Sequence, residues 1–459
     1  MGHLHRVAGA ADRAVSVPAP RPWRRALGWL ALLGPFFFLS YGLANTLAER
    51  RAGVPSLPFA WETQIPFWPW TIVPYWSIDL FYVASFFVCR TRAELDTHAK
   101  RLLTAQLLAV GCFLLWPLRF SFERPPSEGV FGWLFAVLLG FDKPFNQAPS
   151  LHIVLLVVLW VRYAQHLHGL ARGVLHAWFA LIGISVLTTY QHHFLDIPTG
   201  LAAGWLCVWL WPQRIAPPWS ALALARDPAR WRLAAAYLAG SAACVALAWA
   251  IGGAGWWLLW PALSLSLVAL DYALLGALGL QKRTDGRLSL AARWLYAPYL
   301  AAAWLNSRAW TRRDPAPREI ADGVWLGRMP GRGERAAFGA VVDVSAELSL
   351  RDAGAHDRTV PMLDLVAPPA DALRAAAAAI EAARHHGPVL VCCALGYSRS
   401  AAAVATWLLH SGRAAELDDA LALLRARASR IVLGPAQRDA IAAACAAPAA
   451  PLQALEQPA

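Results

Sequence analysis

The chain has 459 residues, a formal net charge of +12, 58% hydrophobic residues and only 15% charged residues. Soluble globular domains carry about a quarter charged residues, so this composition excludes an ordinary soluble fold for the chain as a whole. The positive charge does not indicate a nucleic-acid partner, because residues 314–459 hold 14 arginines and 16 acidic residues, a net of −2 (14 − 16). The excess therefore lies among the apolar segments of the first two thirds.

Tryptophans and long apolar runs predict that the first two thirds form an α-helical membrane bundle. Of the 24 tryptophans, 22 precede residue 311, and membrane interfaces select for this side chain. A span needs about 20 mostly apolar residues, which predicts about eight spans. They are 26–48, 68–89, 103–118, 151–164, 173–190, 195–212, 232–252 and 256–280. The apolar run 130–141 is too short to cross, and we expect it to lie at the interface or to re-enter.

Cationic residues flank the first two spans and predict the orientation of the bundle. They are Arg21, Arg24, Arg25, Arg90, Arg92, Lys100 and Arg101. Positive charge is enriched in cytoplasmic loops, so we expect the N-terminal segment 1–25 to be cytoplasmic and the protein to be a multi-pass protein of a bacterial inner membrane. Three loops, 119–150, 190–194 and 253–255, then share the outer face.

Two of these outer loops bring titratable residues to the ends of predicted spans. His192 and Asp196 are four residues apart, a spacing that lets the carboxylate hold one imidazole nitrogen while the other stays nucleophilic. His152 starts another span and is a candidate proton donor to a leaving group. Arg119 and Arg124 are candidates to bind a phosphate. Four further histidines, taken singly, are better read as solvated loop residues; they are His166, His168, His176 and His193.

This membrane region, over about residues 100–212, resembles the type 2 phosphatidic acid phosphatase superfamily. The resemblance rests on Arg124-Pro125, on the run from Pro149 through Ser150 and Leu151 to His152, and on Ser185, His192 and Asp196 at the family's intervals. Pro117 and Val186 replace two family cations, which is more similar to the inositol-phosphorylceramide synthase branch. The resemblance implies that His192 forms a phosphohistidine, that Asp196 orients it, that His152 protonates the leaving alkoxide, and that Ser150 contacts the substrate.

The segment 283–313 joins the two halves of the chain. Residues 288–310 are apolar enough to contact lipid but include Arg293 and Arg308, with Arg312 and Arg313 following. Cations in the middle of a span are unfavourable, so we expect an amphipathic linker on the inner membrane surface. A C-terminal domain in the cytoplasm would follow. If the segment spans instead, both halves face outward.

The run VLVCCALGYSRSAAAVATWLL predicts a phosphate-binding turn between a buried strand and a helix. Cys393 is separated from Arg399 by five residues that include Gly396 and Ser398. A helix start supplies free N–H groups and a positive dipole end, which bind phosphate and favour a thiolate at Cys393. Arg399 can hold two phosphate oxygens, and the Ser400 hydroxyl is placed to stabilise the leaving thiolate. The competing interpretation is a small apolar cysteine in a buried strand.

Residues of about 320–441 resemble the dual-specificity branch of the cysteine-dependent protein phosphatases, whose signature is C-x5-R followed by Ser or Thr. The resemblance implies an α/β domain with a central, mostly parallel sheet, and a general-acid aspartate upstream of the cysteine. Asp364 is the first choice and Asp371 the second, since Asp371 is better placed to cap a helix. The residue before the nucleophile, usually His in this family, is Cys392. We assign this domain to 314–446 and expect a disordered tail over 447–459.

Together these patterns predict a bifunctional membrane phosphatase or phosphotransferase of lipid phosphate metabolism, comprising residues 26–282 and the phosphatase-like domain. The expected substrate is a phosphorylated lipid or lipid head group, with no metal or other cofactor. One alternative is a membrane-anchored phosphatase for Tyr, Ser or Thr in phosphoproteins, with the membrane half as anchor or lipid sensor. Another is that one half is catalytically dead and serves as a docking module.

Overall fold

The computed structural model describes residues 20–428 and 430–446. The tail 447–459 and most of segment 1–25 lie outside these ranges. The described part comprises a helical bundle followed by an α/β domain. The helices of the bundle are α1 (Trp23–Glu49), α2 (Ile72–Val88), α3 (Arg92–Leu115), α4 (Gly129–Leu139), α5 (Leu151–Ala164), α6 (Gly169–Thr188), α7 (Asp196–Leu210), α8 (Pro228–Ile251), α9 (Leu259–Leu270), α10 (Leu290–Leu295) and α11 (Ala297–Thr311).

The helix starts follow from local capping chemistry. Thr91 precedes α3 and its hydroxyl accepts the Glu94 N–H at 3.2 Å. Asp227 caps α8 in the same way, and Pro228 occupies the first helical position, where a missing N–H costs no hydrogen bond. A π-helical turn, Asp271–Leu275, extends α9 before Gly276 ends it with a φ of +64°.

Five helical stretches are long and apolar enough to cross a membrane. They are Trp23–Glu49, Pro69–Val88, Gly169–Thr188, Pro228–Ile251 and Gly253–Leu280. The predicted spans 151–164 and 195–212 correspond to α5 with 14 residues and α7 with 15. Both helices are shorter than the roughly 20 residues that a span needs. Helix α3 is long enough, but its first half carries charged side chains. The count of eight spans therefore stays a prediction.

Contacts at helix termini define two ends of the bundle. Arg25 at the start of α1 pairs with Asp96 near the start of α3, with Nε and Oδ1 2.6 Å apart. Arg101 donates to the carbonyl oxygen of Trp211, just beyond α7, at 2.8 Å. We call this the N-terminal end of the bundle. The starts of α5 and α7 are hydrogen-bonded to each other and lie at the opposite end.

The predicted linker forms α10 and α11, and both helices pack against the bundle. The Trp294 ring stacks on Trp205 of α7, with centroids 6.1 Å apart, and its carbonyl accepts from Trp260 Nε1 at 3.0 Å. The Tyr299 N–H lies 3.4 Å from the Ser264 hydroxyl of α9. These contacts join the segment to α7 and α9. Its placement relative to a bilayer surface stays a prediction.

The C-terminal domain is built on a five-stranded mixed sheet in the order β1-β2-β5-β3-β4. The first two strands pair antiparallel and the other three pairs are parallel. The strands are β1 (Arg318–Ala321), β2 (Val324–Arg328), β3 (Ala340–Ser345), β4 (Arg358–Met362) and β5 (Val389–Cys393), and the helices are α12 (Ala370–Ala383), α13 (Arg399–His410), α14 (Leu417–Arg427) and α15 (Pro435–Cys445). Every residue of β3 and β5 is buried, as expected for central strands of a largely parallel sheet.

Candidate active sites

Cys393 ends the central strand of the C-terminal sheet. Strand β5 lies between β2 and β3, and the chain then turns through residues 394–398 into α13, whose first residue is Arg399. The buried strand fixes the position of the cysteine, and the start of α13 supplies free N–H groups beside it. The structure therefore has the strand, turn and helix that the sequence predicts around this motif.

Two hydrogen-bond donors contact the Cys393 sulfur. The Gly396 N–H lies 3.2 Å from Sγ and the Ser400 hydroxyl lies 3.3 Å from it. Gly396 has a φ of +86°, and a Cβ there would lie 2.6 Å from the carbonyl carbon of Gly327, so the turn requires glycine. Ser398 is the N-cap residue of α13, without a side-chain capping bond. The two contacts on sulfur stabilise a thiolate, which is the nucleophilic form of cysteine.

The guanidinium of Arg399 is buried and held by two carboxylates. Its Nη1 and Nη2 donate to the two oxygens of Glu347 at 2.7 and 2.6 Å, and Nη2 lies 3.0 Å from Asp364 Oδ1. Nη1 also donates to the carbonyl of Met362 at 2.9 Å. The buried Nε has no hydrogen-bond partner within residues 20–428 and 430–446. This atom is therefore a donor available to a phosphate oxygen.

The pKa values of the two carboxyl groups beside Arg399 are shifted in opposite directions. Burial favours the neutral form of Glu347, but the charge and hydrogen bonds of Arg399 more than offset it, so its pKa lies below the ordinary value. For Asp364 burial outweighs Arg399, and the Glu347 charge adds to it, so its pKa is raised. A carboxyl group that holds its proton more tightly suits a general acid. The difference supports Asp364 as the acid and Glu347 as the fixed counter-ion.

Asp364 lies on the loop that follows β4, which we call the acid loop (residues 363–369). Its backbone carbonyl accepts the Tyr272 hydroxyl of the bundle at 2.9 Å. The second candidate, Asp371, lies in the first turn of α12 and its carboxylate accepts the Ala372 N–H at 2.9 Å. The N-cap residue of α12 is Pro369, so the prediction that Asp371 caps this helix is wrong. Because α12 begins at Ala370, Asp371 is the second residue of its first turn and not the residue that precedes the helix.

Cys392 faces away from the phosphate-binding turn. Successive side chains of a strand point to opposite faces of the sheet, and Cys392 packs in an apolar cluster with Phe338 and Val341, separate from the cluster that contains Cys393. Burial raises the pKa of the Cys392 thiol well above its ordinary value. Both observations describe an apolar core residue.

Sequence reasoning overlooked Glu347. Its neighbours in the chain, Ala346 and Leu348, are buried, so an acidic residue inside an apolar run was the available signal. Acidic side chains are almost never fully buried unless paired. Its partner, Arg399, lies 52 residues away along the chain, so no local sequence pattern identifies the pair.

The structure brings together three of the residues predicted for the membrane half. His192 Nδ1 lies 3.1 Å from Asp196 Oδ2, and both residues are buried. His152 lines the same cavity as His192, about 50 Å³ in volume. Its Nε2 lies 3.0 Å from the carbonyl of Tyr75 and therefore carries a hydrogen, because a carbonyl only accepts. This cavity lies at the end of the bundle opposite the C-terminal domain.

The other residues predicted for this half, Arg119, Arg124 and Ser150, are not among those that line this cavity. Arg124 donates to two carbonyl oxygens of the 189–190 turn, each at 3.0 Å. Arg119 is exposed. Ser150 is fully buried and its hydroxyl caps α5 by accepting a backbone N–H at 3.4 Å. The Ser150 hydroxyl is thus already used in the fold.

Sequence reasoning missed two carboxylates of the cavity. Asp79 of α2 and Asp142 both line it, and Tyr41 donates its hydroxyl to Asp142 Oδ1 at 2.7 Å. Asp79 lies inside an apolar run, where an ionisable residue is functional by default. That rule was sufficient to find it.

His193 is not the solvated loop residue that the sequence suggests. It is buried, and its Nδ1 lies 2.8 Å from Glu62 Oε2. His166 similarly lies 2.6 Å from Glu94 Oε1. Both partners are more than 70 residues distant in the chain, so only the fold reveals the pairs. In the described ranges no group of three or more His, Cys, Asp and Glu side chains is arranged to hold a metal ion.

A family comparison agrees with the geometry around Cys393. Residues 326–443 match the family model described as dual specificity phosphatase, catalytic domain. The C-terminal domain is a cysteine-dependent phosphatase domain, as the resemblance implied. The match does not include the helical bundle. No curated protein matches the chain.

Solved structures similar to this chain each match less than a third of its length. Tk-PTP in the active form is 25% identical, covering 29% of this chain and 98% of its own, with a TM-score of 0.26. Human DUSP28 is also 25% identical, covering 28% and 93%, with a TM-score of 0.26. PTPMT1 in complex with PI(5)P is 17% identical, covering 28% and 94%, with a TM-score of 0.24.

Proposed function

We propose that the chain is a bifunctional membrane enzyme of lipid phosphate metabolism. Its C-terminal domain hydrolyses a phosphate monoester carried by a lipid, through a phosphocysteine at Cys393. Its membrane half cleaves or transfers a lipid phosphate group with His192. The N-terminal end of the bundle and the phosphatase domain are cytoplasmic, and the His192 cavity opens toward the outer face.

The surface of the bundle supports its placement in a bilayer. Large apolar side chains point outward along its helices, among them Leu39, Leu80, Leu115 and Leu170, each more than 70% exposed. A soluble protein rarely exposes apolar patches of this extent. The five stretches that are long enough to cross a membrane all carry exposed large apolar side chains. Hydrocarbon is the solvent in which such a surface is favourable.

The observation that carries the lipid assignment is that the phosphatase site faces the bundle. The Tyr272 hydroxyl binds the backbone of Asp364 in the acid loop at 2.9 Å. Ser307 of α11 donates to the carbonyl of Ala394, the residue after the nucleophile, at 2.5 Å. Val366 of the acid loop belongs to the apolar cluster of the bundle. A phosphate held at the membrane surface is thus favoured as substrate over one on a large soluble protein.

The residues around Cys393 support a two-step hydrolysis. The thiolate attacks phosphorus while Asp364 donates its proton to the leaving oxygen, so the P–O bond breaks as the S–P bond forms. The Asp364 carboxylate then accepts a proton from the attacking water, the S–P bond breaks, and inorganic phosphate leaves. Arg399 binds the phosphate oxygens, and Ser400 stabilises the departing thiolate.

The His192 site has the parts of a second nucleophilic centre. Asp196 holds Nδ1, which leaves Nε2 free to attack phosphorus. His152 shares the cavity and is the proposed proton donor to the leaving alkoxide, through a protonated Nδ1, since its Nε2 donates to the Tyr75 carbonyl. Arg124 supplies positive charge nearby. We propose that a phosphohistidine forms here, as the resemblance to the type 2 phosphatidic acid phosphatases implies.

The test uses the full-length protein in mixed micelles with three substrates: phosphatidic acid, a phosphotyrosine peptide and 4-nitrophenyl phosphate. Cys393→Ser should abolish hydrolysis of 4-nitrophenyl phosphate and should lower phosphate release from the lipid. His192→Ala should leave hydrolysis of 4-nitrophenyl phosphate unchanged and remove the lipid turnover that survives Cys393→Ser. A higher kcat/KM for the peptide than for the lipid would favour the alternative of a membrane-anchored protein phosphatase. Wild-type lipid turnover in His192→Ala/Cys393→Ser would dismiss both sites.

A further inference from the structure

A lysine from outside the phosphatase domain is buried inside it. Lys282 lies in the bundle segment between the helical turn Gly276–Leu280 and α10, yet its side chain is fully buried and forms an ion pair with Asp343 of β3. Its Nζ also donates to the carbonyl of Ser345 at 2.7 Å and to the carbonyl of Leu348. An ammonium group has three N–H donors, and here each has an acceptor. A buried charge is tolerated only with such pairing.

The acceptors of Lys282 enclose the residue that holds Arg399. The second oxygen of Asp343 accepts both the N–H and the hydroxyl of Ser345, each at 2.9 Å. The ammonium therefore joins the two ends of the turn 345–348, since it donates to the carbonyl oxygens of both Ser345 and Leu348. Glu347 lies on this turn, and each of its carboxylate oxygens accepts a hydrogen bond from the Arg399 guanidinium. A continuous set of buried polar contacts thus runs from Lys282 to the phosphate-binding arginine.

The bundle fixes Lys282 from the other side. The connecting hairpin, residues 281–289, begins at Gln281, whose side chain donates to the carbonyl of Trp209 at 2.6 Å and accepts the Ser289 hydroxyl at 2.6 Å. Its tip, Gly286, accepts the N–H of Leu350 at 2.9 Å. A Cβ on Gly286 would lie 2.8 Å from the Leu350 Cβ, so hairpin and domain are in close contact. The position of the ammonium is therefore set by the helical bundle.

We infer that Lys282 is a positioning residue of the phosphatase, through which the bundle holds Glu347 and hence Arg399 in place for phosphate. This assignment rests on the cysteine-phosphatase site and is independent of which phosphate ester is the substrate. A residue that only attached the domain to the bundle would leave phosphate binding unchanged once the protein is folded. A positioning residue affects anion binding in the folded protein.

The experiment measures hydrolysis of 4-nitrophenyl phosphate, and its inhibition by orthovanadate, in the full-length protein. Lys282→Met leaves the Asp343 carboxylate buried without a counter-charge and risks misfolding. Lys282→Met/Asp343→Asn removes both charges and keeps a polar group beside Ser345. Folding is checked by thermal unfolding and by gel filtration. The matched control is Arg283→Met, because Arg283 is the adjacent cation but is exposed and pairs with Asp285 of the same hairpin.

We expect the charge-neutral double variant to fold, and to show a kcat/KM lower by about 10–100-fold with weaker vanadate inhibition, because displacement of a binding group by about 1 Å costs on this order. Arg283→Met should resemble the wild type. Adding Lys282→Met/Asp343→Asn to Glu347→Gln should cost little more than Glu347→Gln alone, since both act through one contact. A folded double variant with wild-type vanadate inhibition would overturn the assignment, as would effects that add fully.

Discussion

Replacing Asp364 with asparagine separates the two effects of this carboxylate. As the general acid it protonates the leaving oxygen, so its loss should lower kcat by about 10²–10⁴-fold. As a neighbour of Arg399, with Nη2 and Oδ1 3.0 Å apart, the carboxylate that forms once this proton is lost also competes with phosphate for the guanidinium and repels the phosphate dianion. Asp364→Asn should therefore turn over more slowly, and at a pH above the pKa of Asp364 it should bind a phosphate-like anion more tightly than the wild type does.

The size of the binding effect follows from charge separation and exposure. Two unit charges 4 Å apart interact by about 1 kcal/mol in water and about 4 kcal/mol at an effective dielectric constant near 20. The Asp364 side chain is 26% exposed, which places the repulsion toward the lower value, about 1–2 kcal/mol. That corresponds to vanadate binding tighter by about 5–30-fold.

The assay compares two leaving groups in the full-length enzyme. 4-Nitrophenolate is a good leaving group and needs little protonation, whereas the alkoxide of phosphatidic acid needs a full proton. Asp364→Asn should therefore lose much more activity toward the lipid than toward 4-nitrophenyl phosphate. Asp371→Asn is the matched control, because Asp371 is the other candidate aspartate and its carboxylate accepts a backbone N–H of its own helix.

Equal losses on the two substrates would show that Asp364 does not transfer a proton to the leaving group. Unchanged or weaker vanadate inhibition would show that its carboxylate does not compete for Arg399. A loss in Asp371→Asn as large as that in Asp364→Asn would mean that the acid was assigned to the wrong residue.

Two further predictions concern the same domain. Gly396→Ala should abolish turnover of 4-nitrophenyl phosphate and lower the Tm of the domain, because a Cβ at a φ of +86° would meet the backbone of Gly327 at 2.6 Å. A normal Tm in thermal unfolding together with a normal kcat in the activity assay would contradict the loop geometry. The second concerns the alkaline limb of the pH profile. Because the pKa of Asp364 is raised, kcat for the lipid should hold to higher pH than an ordinary aspartate allows, and should fall as pH rises through that pKa and deprotonates the acid. This fall should be absent in Asp364→Asn, and its persistence there would assign it to another group.

The phosphatase motif was predictable because its chemistry is local. Cys393, Gly396, Arg399 and Ser400 lie within eight positions, and one strand, one turn and one helix start bring them together. His192 and Asp196 are in contact for a similar reason, since His192 lies in the short loop that leads directly into α7, whose first residue is Asp196. Helix boundaries were less uniformly accessible: α5 coincides with the apolar run 151–164 that predicted it, whereas α7 is shorter than its run 195–212 because apolar residues at both ends belong to loops.

What the sequence by itself determined is the chemistry of the C-terminal site and the apolar character of the first two thirds, since both depend on residues adjacent in the chain or on the same helix face. The tertiary structure alone decided which charges meet. Lys282, Glu347 and Arg399 lie far apart in the sequence, and a buried ion pair has no local signature because each partner looks like an isolated polar residue. The fold supplies the low-dielectric interior in which leaving any one of them unpaired would be costly.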